Sequence, residues 1–189
     1  MPMKILKHPV VEILLSALII VGSSFLSARV KLNNEAQKVT NGFYNGIEFD
    51  GYRHNSIQSQ LENICGAVSG LMTTAKNNKV DTSELAALND ELRSSIADPH
   101  SNIASMYSKY SALMSAFDSL VAKLETMPLN ERDQKALETY CGTVKGANMV
   151  IKESGYNDSV RNYLNDAGGL QKLFMKLTSA KTPERFCGL

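Results

Sequence analysis

The chain has 189 residues, 20 basic and 19 acidic side chains and a formal charge of +1. With Lys4, Lys7 and Glu12 set aside the charges balance, so nothing resembles the basic stripe of a nucleic-acid surface. No Trp, few Pro and only three Cys favour a helical domain over a strand-rich fold or a disulfide scaffold.

Residues 1–9 form a short tail carrying Lys4 and Lys7. Residues 10–26, VVEILLSALIIVGSSFL, then run from Val10 to Leu26 without a polar stripe. A helix that is apolar all round must be buried in protein or lipid. At about 17 residues it is at the short end of what spans a bilayer. Glu12 falls in the first turn, within reach of headgroups, where a carboxylate costs less than at mid-bilayer. Two fates compete for this run. A cleavable signal peptide needs a basic start, an apolar middle and a small residue at the cut, and Leu26-Ser27-Ala28 supplies one. A retained anchor needs the helix to continue, and the polar residues from Ala28 to Lys38 carry no turn signal. The anchor, assigned to residues 10–27, is the favoured reading.

Residues 28–52 connect the anchor to the rest. Gly42, Gly46 and Gly51 alternate there with Phe43, Tyr44, Phe49 and Tyr52. A helix leaving the membrane is expected to weaken or kink among these glycines, since each costs about 1 kcal/mol. The aromatic residues are expected to pack on a bundle end. From Ile57 the pattern sharpens: Ile57, Leu61, Ile64, Val68, Leu71 and Ala75 form a seam with coiled-coil spacing. Asn77-Asn78-Lys79 ends that helix. Asp81 with Glu84 predicts a capping box for the next, whose apolar face is Leu85, Leu88, Leu92 and Ile96. Pro99 fits the first turn of a third helix, with the seam Ile103, Met106, Tyr110, Leu113, Phe117, Leu120, Leu124 and Met127. Pro128 ends it. A last helix starts near Asn130, with Asp133 favourable to its dipole and a seam of Leu137, Tyr140, Val144 and Ile151. Past Gly155 the face shifts to Tyr156, Val160 and Tyr163, a slip of register.

These elements predict an all-α protein: an N-terminal transmembrane helix followed by an elongated antiparallel three- to four-helix bundle over residues 53–167. The arrangement reads as up-down-up, with the short Asp81 segment as a fourth piece. Gly168-Gly169 ends the helical text, and residues 168–189 read as a loosely attached, irregular tail.

The chemical inventory is sparse. His8, His54 and His100 lack the spacing that places two imidazoles on one metal. No Cys-x-x-Cys and no phosphate-cradling glycine loop occurs. No catalytic, cofactor-binding or metal-binding residue is assigned, and a non-enzymatic interaction protein is expected. One internal similarity stands out: Cys65-Gly66-Ala67-Val68-Ser69-Gly70 and Cys141-Gly142-Thr143-Val144-Lys145-Gly146 share the form CGxVxG. In an up-down-up bundle their helices run parallel. The two glycine strips are then expected to pack together, with Cys65 and Cys141 at one height, either bonded or as buried free thiols.

Several segments together resemble the LemA family of bacterial membrane-anchored proteins. Ile57-Gln58-Ser59-Gln60-Leu61 is similar to the family's Ile-Asp-x-Gln-Leu, and Leu71 and Lys76 follow in step. Tyr156-Asn157-Asp158-Ser159-Val160-Arg161-Asn162-Tyr163 is similar to its Tyr-Asn-x-x-Val-x-x-Tyr, the most specific match. Pro183-Glu184-Arg185-Phe186 resembles its closing Pro-x-x-Phe. Departures are Asn63-Ile64 for a paired Arg, Ser69-Gly70 for Pro-Asn, and the missing Trp, so this is identified as a divergent member. The family-motif residues are Ile57, Gln60, Leu61, Leu71, Tyr156, Asn157, Val160 and Tyr163. The resemblance implies a single-pass protein with a helical bundle and no catalytic residues.

The expected protein sits at the cell membrane, held in lipid by residues 10–26, without cofactor or nucleic acid, and acts on a protein partner. The alternative is a secreted bundle, cut after Ala28, that binds a ligand or cell-surface component. Lys4, Lys7 and the free amine balance Arg29, Lys31 and Lys38, so the charge rule leaves both topologies open.

Overall fold

The computed structural model describes residues 9–49, 52–53, 56–99, 101–166 and 168–187. His8, His54 and His100 lie outside them. The described elements are helices α1 (Pro9–Asn45), α2 (Ile57–Asn77), α3 (Ser83–Ala97), α4 (Ile103–Glu125), α5 (Glu131–Glu153), α6 (Tyr156–Asp166) and α7 (Gly169–Thr178). Strands β1 (Glu48–Phe49) and β2 (Tyr52–Arg53) form a minimal antiparallel hairpin, pairing Glu48 with Arg53 and Phe49 with Tyr52. The fold is all-α, as the seams require.

Two compact units are distinguished. One joins α1 up to Val39 with Asn162–Pro183; the other comprises Thr40–Arg161 and the final segment from Glu184. In the first, α1 is long and apolar enough to cross a membrane, and its most apolar window is entirely uncovered. Leu18 is 72% exposed, and Ile13, Leu14, Ile19 and Ile20 are similarly open. The expected weakening among the glycines does not occur at Gly42. The helix passes through it and stops at Gly46, whose φ of +78° is the left-handed close that glycine adopts without penalty. Gly46 N–H donates to the Gly42 carbonyl at 3.0 Å. The chain then doubles back so tightly that a Cβ on Gly42 would sit 2.8 Å from the Ile47 side chain.

In the second unit the seams form the core. All six residues of the α2 seam are buried, as are Leu85, Leu92 and Ile96 of α3. Met106, Leu113, Phe117, Leu120 and Leu124 of α4 and Leu137 and Val144 of α5 are buried too. The caps are local: Ser56 Oγ accepts Ser59 N–H at 3.0 Å, and Asn130 Oδ1 accepts Asp133 N–H at 2.9 Å. Two cap expectations need correction. Asp81 does not form a capping box with Glu84; its carboxylate accepts the Ser83 N–H and hydroxyl at 3.0 and 3.1 Å, just before the helix. Those bonds hold the Asp81 carboxyl below its ordinary range, the Ser83 N–H contributing most. Pro99 does not enter α4, which is capped by Asn102 through the Ser105 N–H at 2.9 Å.

The direction of the helices also differs from expectation. Because α3 is a complete reversal and not an appendage, α5 runs antiparallel to α2. Asn78, at the end of α2, donates its side-chain N–H to Asp133, at the start of α5, at 2.8 Å. Earlier in α2, Gly70 lies against Tyr140, later in α5. The α2–α5 pair is the most extensive helix contact, and α2 also meets α3 and α4. The CGxVxG strips therefore run in opposite directions, and Cys65 and Cys141 stand at different heights. Both are free, as is Cys187. Of the four strip glycines only Gly70 is used for a close approach; a Cβ at Gly66, Gly142 or Gly146 would meet nothing.

The C-terminal third needs a further correction. The slip past Gly155 is a break between helices, with Gly155 at φ +68°. Residues 168–189 are not an irregular tail throughout: Gly169–Thr178 is helical. Beyond it the chain docks, and Phe186 is buried.

Candidate functional site

The residues singled out by sequence divide into two groups. Ile57, Leu61 and Leu71 are buried seam positions of α2, and Gln60 is buried beside them. Their role is packing. The second group, around Tyr156, builds the most elaborate polar and aromatic arrangement in the described residues.

That arrangement is a clasp formed where α6 begins. Tyr156 and Val160 are buried on one face of α6. The Tyr156 hydroxyl donates to the Glu184 carbonyl at 2.7 Å. Asn157 receives the next step of the same backbone: its Oδ1 accepts Phe186 N–H at 2.8 Å, and its Nδ2 donates to the Phe186 carbonyl at 2.9 Å. One amide thus satisfies both backbone groups of Phe186, as a neighbouring strand would. The Glu184 carboxylate turns the other way, to the N-terminus of α4. It accepts Ile103 N–H at 2.9 Å and the Asn102 side-chain N–H at 2.6 Å. A negative group there satisfies orphan donors and complements the helix dipole.

The Phe186 ring completes the clasp. It lies 5.5 Å from Phe43, 5.1 Å from Tyr107 and 5.6 Å from Tyr110, centroid to centroid, and Phe43 also meets Tyr156 at 5.6 Å. These separations are those of favourable tilted and edge-to-face pairs. Phe43 is completely buried, so this residue of the aromatic segment packs on the bundle as expected. Tyr110 hydroxyl donates to Asn148 at 2.9 Å, tying α4 to α5.

Burial raises the phenol pKa of Tyr156, with the Tyr44 and Glu184 charges adding to it. Tyr44 and Tyr110 shift upward as well, burial again leading. None is poised to exchange a proton near neutrality. Burial also pushes the Cys65 thiol up to about 11, leaving it an inert core group. Among the described residues no three His, Cys, Asp or Glu side chains gather to hold a metal. The clasp's polar atoms are engaged with one another, so the arrangement fastens the final segment to α4 and α6.

Tyr163, the last motif residue, belongs to the other unit. Its hydroxyl donates to the Leu32 carbonyl of α1 at 3.2 Å. Close by in that unit, Lys181 N–H donates to the Asn33 side chain at 2.9 Å. Sequence reasoning did not assign Phe43, Tyr107, Glu184 or Phe186 to a site. The signal available was the match of Pro183-Glu184-Arg185-Phe186, whose partner turns out to be the Tyr156-Asn157 motif.

No protein-family model, curated protein or solved structure matches this chain.

Proposed function

We propose that this is a membrane-anchored, non-enzymatic helical-bundle protein of LemA type, single-pass in the cell membrane and acting through protein–protein contacts. The observation that carries the reading is the continuity of α1. Its uncovered apolar half leads without a break through Ser27 and Ala28 into a stretch where the side chains of Leu32 and Ala36 are buried. A cleavable signal peptide is cut at a small residue just after its apolar stretch, whereas a helix that continues unbroken past that point suits a retained anchor. The bundle supports the second half of the reading. Its polar groups serve caps and the clasp, while α4 presents Ala104, Ser108, Ser111 and Ser115 along an open groove without a charged lining residue. Small side chains there admit the close approach of another protein surface.

Intact-mass measurement on protein from the membrane fraction tests the anchor. A mass retaining residues 10–28, with resistance to alkaline extraction, is expected. A mature chain beginning at Arg29 would instead favour a secreted, ligand-binding bundle. For the mode of action, a photoreactive residue at Ser108 is expected to give a discrete protein adduct in cells. A reproducible hydrolytic or transferase activity, abolished by a point change, would overturn the non-enzymatic reading.

A further inference from the structure

We infer that α7 is a second membrane contact, an interfacial helix that lies on an anionic lipid surface beside the anchor. The inference rests on α1 being a retained anchor. Helix α7, GLQKLFMKLT, contains two lysines and no acidic residue. Leu173 and Leu177, one turn apart, are 52% and 63% exposed. Lys172 and Lys176 are exposed next to them. At helical spacing these four side chains share one face. A single exposed leucine is ordinary. A leucine pair bordered by lysines matches a helix lying in the headgroup layer, with apolar groups at the acyl boundary and ammonium groups on lipid phosphates.

Position selects lipid over other occupants. The chain on either side of α7 is pinned to α1 within the same compact unit, by Tyr163 to Leu32 and by Lys181 to Asn33. Those attachment points lie only about 10 Å along the helix beyond Leu26, the end of the apolar run. An α7 held between them stays at the level where α1 leaves the bilayer. On the same stretch of α1, Arg29, Lys31 and Lys38 outnumber Glu35, which adds net positive charge to that unit.

The chain has no Trp, so one introduced indole is a clean reporter. Full-length Leu173→Trp and Leu18→Trp proteins are reconstituted into phosphatidylcholine–phosphatidylglycerol vesicles, with and without brominated acyl chains. Both indoles are expected to emit at shorter wavelength and to be quenched by the brominated lipid. For Leu173→Trp, adding Lys172→Glu and Lys176→Glu, or using phosphatidylcholine alone, is expected to abolish the quenching. Quenching at position 18 but not at 173 overturns the interfacial helix and leaves the anchor standing. An unquenched Leu18→Trp overturns the anchor and this inference with it. A blue shift at 173 without quenching means that protein, such as a second copy, covers the face, and also overturns it. Quenching at 173 indifferent to charge reversal overturns the assignment to anionic lipid.

Discussion

Glu184 and Tyr156 show how single residues hold the end of the bundle. The Glu184 carboxylate is the external cap of α4. Glu184→Ala is expected to lower stability by about 1–2 kcal/mol, read as a lower urea midpoint with an unchanged slope. Glu184→Gln keeps an acceptor and should lose less. Tyr156 carries a pH signature. Its folded-state pKa is raised, so the contribution is complete below the free phenol value of about 10 and is lost as pH rises through the folded value. Stability of the wild type should therefore fall on the alkaline side above about pH 10. Tyr156→Phe should lose about 1 kcal/mol at neutral pH but show a shallower alkaline decline, measured by denaturation across pH. Asn157 was legible in the sequence as a motif position. Its two bonds to Phe186 were not, because the partner lies 29 residues away.

At the scale of elements, the α2–α5 pair explains which glycines matter. Gly66, Gly142 and Gly146 are exposed helical positions with open space where a Cβ would go. Alanine at each is expected to raise stability by up to about 1 kcal/mol, the difference in helix propensity. Gly70 is different: its Cβ would overlap the Tyr140 ring. Gly70→Ala should forgo that gain or destabilise, and Tyr140→Ala in the same chain should restore part of it. Melting temperatures of the five variants check the set. The repeated CGxVxG text suggested matched strips, yet periodicity says only which face of a helix is buried. It is silent on which way the neighbouring helix runs. That direction followed from α3, whose short seam of Leu85, Leu92 and Ile96 is enough to reverse the chain once more.

At the scale of the whole molecule, the last residues fasten elements far apart in sequence. Phe186 touches Phe43 of α1 and Tyr107 and Tyr110 of α4, while its backbone is held by Asn157 of α6. Phe186→Ala is expected to cost about 3–5 kcal/mol, the range for emptying a buried aromatic site. Ending the chain at Pro183 should cost more, since it also removes the Glu184 carboxylate from the start of α4 and uncovers Phe43 and Tyr156. Hydrogen exchange is expected to rise first in the last turns of α1 and the first turns of α4 and α6.

The sequence by itself determined the apolar helix, the four seams and the positions of most helix ends, because each is written in side chains within a turn or two of one another. Leu61, Leu71, Leu113 and Val144 were assigned to the core by spacing alone, and they are buried. Only the tertiary structure decided that α2 and α5 are antiparallel, and that the final segment is a structural part of the bundle. Both depend on contacts between distant residues, Asn78 with Asp133 and Tyr156 with Glu184. Such pairings arise when the chain closes on itself and buries its polar groups against one another, and no local pattern encodes which partner will be found.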